Sequence, residues 1–357
     1  MKRFARSLFA GLSVALLIAG CGGNKLKVKE VNFPDGEIQT QQSLVFTFSS
    51  DLVADSLLNK WDSTNYLEFH PAIRGSYQWV GKDQLSFSPS MAFAPNTDYT
   101  VKLTKKLLAH SLKSISIDAT PIKFHTPYLK LENVETYWTV KDGNPALGIF
   151  VGVNLNFNYL VSPAAVMQKL KLMQDKSAVT PELVSAEEGN QIRLLFLPQS
   201  TQTYPCPLTV TIDKGLRCIG SDRDGDKPLE FVSQIPGKDQ FEVMNALPIF
   251  QNGVSSITVT TTQPVNAENL NEFISLSPSV SNIHIKTLPN GFSISGDFSD
   301  KKDYNLTISG RLKNIFGIEL KRDYTGTIHF GNPPPYPLVR TTNGRMELKV
   351  ICTIPFI

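Results

Sequence analysis

The feature that most limits the fold is a short pattern met three times, at intervals of about 100 residues. "YTVKLTKKL" (99–107) alternates Tyr99, Val101 and Leu103 with polar residues and places Leu107 four positions on. "LTVTIDKGL" (208–216) repeats this with Leu208, Val210, Ile212 and Leu216, and "YNLTISGRL" (304–312) with Tyr304, Leu306, Ile308 and Leu312. Strict alternation sends every second side chain to one face, so each stretch reads as a strand with one buried side; the trailing leucine is expected to tuck a turn under the same core.

The flanks repeat too. Upstream lie "LSFSPS", "RLLFLP" and "FSISGD", downstream "IKFHTP", "LEFVSQ" and "GTIHFG", and each unit opens on another alternating run: "LVFTFSS", "VNLNFN" and "SITVTTT". Short helical stretches are expected after these openings, at Ser56–Trp61, Pro163–Leu170 and Ala267–Phe273, with Ser162 capping ahead of Pro163 and Asn266 capping the third. A further strand follows in each unit: "LEFHP", "LKLMQ" and "ISLSP". Many short strands punctuated by Pro and Gly predict an all-β chain of three tandem Ig-like β-sandwiches, with short helices in the connections. The expected boundaries are 1–20 for a signal segment, 21–30 for a linker, 31–127, 128–236 and 237–332 for the sandwiches, and 333–357 for a proline-rich junction and the truncated start of a further domain. The run "GNPPPYP" cannot continue a strand ladder and makes a stiff spacer.

At the other end, Lys2, Arg3 and Arg6 precede an apolar run from Leu8 to Ala19 and small residues around Cys21. That is the layout of a secretory signal, and the run is too short for the roughly 20 residues of a spanning helix. Ile18-Ala19-Gly20-Cys21 resembles the bacterial lipobox, which implies cleavage before Cys21, acylation of that residue and membrane attachment through the acyl chains. The expected location is the cell envelope, periplasmic and lipid-anchored; Gly22 in place of Asp after the cysteine favours the outer membrane by resemblance to enteric sorting.

Losing the three basic residues of the signal takes the formal charge from +3 to about zero, which excludes bulk electrostatic binding of nucleic acid. Cys206 and Cys218 are close enough in sequence to close a small disulfide loop, the alternative being two buried or half-exposed thiols, while Cys352 would be left unpaired. No nucleophile elbow, phosphate loop or HExxH sequence occurs, so neither enzyme activity nor a cofactor is expected. "DRDGD" (222–226) begins like a calcium loop but has Lys227 where glycine is required and Ser233 at the twelfth position, and reads as a solvated turn. The five histidines are scattered, with His125 and His329 on the wet side of closing strands, and give no metal set. Trp61, Trp79 and Trp138 are expected to pack into cores rather than to line a glycan groove.

"VNFPDGEIQTQQSLVFTFSSDLV" and "LEFHPAIRGSYQWVGKDQLSFSPSMAFAPNTDYTVKL" resemble the N-terminal region of bacterial alpha-2-macroglobulin-like lipoproteins, chiefly at Phe33-Pro34, Gly36-Glu37, Phe46 to Ser49, Pro71, Gly75, Trp79, Leu85 to Pro89, Thr97 and Tyr99. The resemblance implies a non-catalytic, lipid-anchored arm of a protease trap, with host or environmental proteases as partners of the full-length protein. The Cys-x-Glu-Gln thioester found in many such traps has no counterpart here: Cys21, Cys206, Cys218 and Cys352 all stand in other contexts. The competing expectation is an independent Ig-like envelope lipoprotein for adhesion or for binding glycans or proteins.

Overall fold

The computed structural model describes residues 25–111, 115–199, 205–251, 254–299, 302–331, 337–342 and 345–350. The chain divides into two compact units, up to Tyr128 and from Leu129 onward.

In the first unit the main strands are β1 (Val28–Val31), β2 (Leu44–Phe48), β3 (Leu67–His70), β4 (Gly75–Gly81), β5 (Gln84–Pro89), β6 (Asp98–Leu103) and β7 (Ile122–His125). They form two antiparallel sheets, β1-β2-β5-β4 with the short strand Trp61–Asp62 added at its edge, and β3-β6-β7. Along β2 the burial alternates: Leu44, Phe46 and Phe48 are sealed in the core, while Val45 and Thr47 are half-buried on the other face. The core is aromatic, with Phe69 against Phe87 at 4.5 Å and Tyr99 stacked on Phe124 at 5.3 Å. Each such ring taken fully from water contributes about 2–3 kcal/mol.

The second unit holds two further copies. Its strands are β8 (Leu131–Val140), β9 (Ile149–Val161), β10 (Leu170–Gln174), β11 (Glu182–Leu183), β12 (Gly189–Phe196), β13 (Cys206–Ile212) and β14 (Leu229–Ile235), then β15 (Val243–Gln251), β16 (Val254–Thr261), β17 (Ile274–Ser277), β18 (His284–Leu288), β19 (Gly291–Ser295), β20 (Asp303–Ile308) and β21 (Tyr324–His329). The sheets are β8-β9-β12-β11 with β10-β13-β14, the latter extended at its β10 edge by the short strand Ser177–Val179, and β15-β16-β19-β18 with β17-β20-β21. Adding seven to a strand number gives its counterpart in the next copy. The order is that of an immunoglobulin constant-type sandwich in all three. A hairpin of Pro337–Thr342 with Arg345–Val350 follows.

The threefold pattern lies on β6, β13 and β20, each an inner strand of its sheet with a partner on both sides, and the trailing Leu107, Leu216 and Leu312 are all buried. Tyr99 and Tyr304, each second in its strand, accept hydrogen bonds through their hydroxyls from the backbone N–H five residues upstream, Ala94 at 2.9 Å and Ser299 at 2.8 Å. This is the tyrosine corner of such sandwiches. Leu208 holds the same place in the middle copy and has no hydroxyl to offer.

Two expectations need correction. Of the three expected helical stretches, Pro163–Lys169 is an α-helix, whereas Asp55–Leu57 and Leu270–Phe273 are single 3-10 turns. Asn59 at φ 58° and Asn269 at φ 53° adopt left-handed backbone, which ends the first turn and precedes the second. Ser162 makes no side-chain cap bond, and Asn266 Oδ1 closes a local turn by accepting from the N–H of Glu268 at 2.9 Å. Trp61 is the second correction: it is 60% exposed on the edge strand, whereas Trp79 and Trp138 are buried.

Replacing Tyr99 or Tyr304 by Phe keeps the ring and leaves a backbone N–H unpaired. Each change is expected to cost about 1–2 kcal/mol in urea unfolding. No loss in either variant would show that water replaces the hydroxyl.

Candidate functional site

Cys21 and the lipobox-like sequence lie outside the described residues. Cys206 and Cys218 are buried free thiols, so the disulfide that their spacing allowed is not formed. Cys206 opens β13, whereas Cys218 follows the far end of that strand and pairs with Val161. The seven-residue strand alone separates those ends by about 20 Å, far beyond a bridgeable Cα separation. Burial raises the Cys218 thiol pKa, with a hydrogen bond involving Ser221 acting the other way. Neither thiol is expected to alkylate in the native protein, and both to alkylate in denaturant without reductant, as read by peptide mass spectrometry. A disulfide-linked peptide pair would contradict the free-thiol assignment.

The acidic turn is tied down by ion pairs, Arg217 to Asp224 at 2.9 Å and Arg223 to Asp226 at 3.3 Å. No group of three or more His, Cys, Asp or Glu is placed to hold a metal among the described residues. His329 is exposed and 2.6 Å from Asp303, its cross-strand partner; His125 stacks on Tyr128 at 4.4 Å.

Sequence reasoning missed a concavity of the second unit, a cleft between the outward faces of the sheets β8-β9-β12-β11 and β15-β16-β19-β18. Inward residues such as Val151, Val153, Ile192 and Leu194 fill one core, so Glu135, Tyr137, Asn154, Gln191 and Arg193 project outward on the other face. Asn245, Leu247, Ile249, Thr258 and Thr260 face them from the third sandwich. One lobe has a volume of about 320 Å³; the other, of about 790 Å³, is reached past Thr139, Lys141, Glu182 and Leu183, and both share Tyr137, Arg193, Leu288 and Pro289.

The cleft keeps its shape because the sandwiches are joined beside it. Trp138, buried in the core of the second sandwich, donates its backbone N–H to Thr262 O at 2.8 Å and its indole Nε1–H to Pro236 O at 2.7 Å. Gln263, fully buried, fixes the incoming chain to the third sandwich: it donates to Lys238 O and Gln240 O at 2.7 and 3.1 Å and accepts from Asn314 Nδ2. Thr139 Oγ1 donates to Pro289 O at 3.4 Å.

Tyr137 lies over Gly152, its partner across the strand pair; a Cβ there would stand 2.3 Å from the ring. The hydroxyl donates to Asn154 Oδ1 at 3.3 Å, and Asn154 Nδ2 donates to Glu135 Oε2 at 3.1 Å. Burial is the main cause that pushes the Tyr137 pKa up to about 12; Arg193 opposes the rise and Glu135 adds to it. Arg193 is exposed, with no hydrogen-bonding or ion-pairing partner for its guanidinium among the described residues. Asn245 Oδ1 is shut off from water with no hydrogen-bond partner.

Because the unfolded tyrosine ionises near 10 and the folded one near 12, the stabilisation from keeping Tyr137 neutral is complete below pH about 10 and lost as pH rises through about 12. Tyr77 in the first unit, also raised to about 12 by burial, adds to the same window. Urea midpoints are expected to fall steeply over that range, and less so in Tyr137→Phe. An unchanged slope in that variant would remove Tyr137 as the source. Gly152→Ala is expected to expel the ring and destabilise the second unit by about 1–3 kcal/mol in the same assay.

No family model matches this chain. It is 30% identical over 276 residues to "Alpha-2-macroglobulin" of Pasteurella multocida (strain Pm70), a match that takes in 70% of this chain and 14% of that protein. The chain therefore spans a small part of that relative's length. Among solved structures, the Bacteroides ovatus mixed-linkage glucan utilization locus protein SGBP-B in complex with a mixed-linkage heptasaccharide aligns at TM-score 0.24 and 11% identity, over 76% of this chain and 63% of that one. The S-layer protein rSbsC aligns at TM-score 0.19 and 10% identity, over 88% of this chain and 56% of that one. The sequence match to the Pasteurella protein supports a macroglobulin-like relationship for this chain.

Proposed function

We propose that the chain is a lipid-anchored, non-catalytic arm of a macroglobulin-like protease trap, held in the cell envelope by an acylated Cys21. The 30% identity to a bacterial alpha-2-macroglobulin carries the reading. Supporting it are three sandwiches of one topology, stiffened in the second unit by the Trp138 and Gln263 bonds, which suit a spacer better than a reaction centre. The basic start, short apolar run and small residues ahead of Cys21 support the anchor. None of the four cysteines stands in a Cys-x-Glu-Gln sequence, so this chain supplies no acylating thioester; its role is to position a trap, and proteases are partners of the whole protein.

The test is expression in a bacterial host, followed by membrane fractionation and mass spectrometry of the mature N-terminus. An acylated Cys21 in the membrane fraction is expected, with Cys21→Ser released into the soluble fraction. An unmodified N-terminus overturns the anchor, and covalent capture of a protease by the purified chain overturns the non-catalytic role.

A further inference from the structure

We propose that the cleft of the second unit binds an extended polypeptide segment in which an acidic side chain is flanked by aliphatic ones. Three features converge on this ligand, and none depends on the lipid anchor or on a macroglobulin-like role.

The first is charge. Glu135, Asn154 and Arg193 lie in one row across three neighbouring strands, which sets Glu135 and Arg193 about 10 Å apart. Glu135 is engaged by Asn154, and at the rim Lys141 is taken by Glu182 at 2.5 Å, beside Asp142. Arg193 is left as a cation with no carboxylate at contact distance, and its fork of donors matches a carboxylate with two parallel bonds.

The second is Asn245 Oδ1, a sheltered acceptor in the lobe that Arg193 also lines. A buried acceptor without a donor costs about 1–3 kcal/mol, and a bound segment that turns this side chain toward the lobe would pair it with a main-chain N–H. The third is the walls: Leu183, Val184, Leu247 and Ile249 are 40%, 45%, 53% and 39% exposed. Aliphatic walls suit aliphatic side chains. Sugars rest on open aromatic faces, and the only aromatic ring among the described residues of the cleft, Tyr137, is 3% exposed. The larger lobe, at about 790 Å³, falls within the range of ligand pockets.

The test uses the full chain and a library of pentapeptides, acetylated and amidated so that the only carboxylate is a fixed central Asp, with Leu, Val, Ile, Ser or Gly elsewhere. Members with aliphatic flanks are expected to bind at micromolar concentration and to shift the methyl resonances of Leu247, Ile249 and Leu183. Changing the peptide Asp to Asn, or the protein by Arg193→Gln, is expected to weaken binding at least tenfold, and the two changes together no further. Asn245→Ala is expected to weaken binding several-fold without touching that pairing. The proposal is overturned if no member binds below millimolar concentration, if Arg193→Gln leaves affinity unchanged, or if oligosaccharides and not peptides shift the same methyl groups.

Discussion

The whole molecule depends on the two-residue period of its strands. Because successive side chains point to opposite faces, a run such as Leu208, Val210 and Ile212 commits one face of β13 to the interior, and a slip of one residue would turn the entire set outward. The same commitment on β6 and β20 fixes the register of their sheets, and the buried Leu107, Leu216 and Leu312 fix where each chain turns after the strand. Tight turns and tyrosine corners add modest energies to a topology that this burial has already decided.

Much of that was legible in the residues. Alternation depends only on local sequence, so the central strands, their flanking partners and the trailing leucines could all be read without knowing what lay opposite. The free thiols and Trp61 were harder, since each depends on distance or exposure set by the assembled fold. Cys206 and Cys218 are near in sequence but at opposite ends of a strand, and Trp61 belongs to a two-residue edge strand too short to display a period. The expected helices at either end shortened to single turns because Asn59 and Asn269 adopt left-handed backbone, a preference that asparagine carries but does not announce.

The cleft was illegible for a different reason. Its residues come from two sandwiches about 100 positions apart in sequence, and each set, seen alone, looks like an ordinary solvated sheet face. Only Gly152 hinted at it: a glycine inside an otherwise bulky strand marks a close approach, here that of the Tyr137 ring. Outward polar positions acquire meaning when a second sheet stands over them.

The Trp138 junction has a consequence for how the second unit comes apart. The indole is rooted among the apolar side chains of one sandwich while its main chain and ring nitrogen are bonded to the linker and to the opening of the next. Melting the first of these cores withdraws the tryptophan and strips Thr262 and Pro236 of their donors, so the damage passes to the neighbour. Two separately packed interiors are thereby coupled in their melting, and heat capacity measured across this part of the chain should show a shared cooperative transition rather than two independent ones.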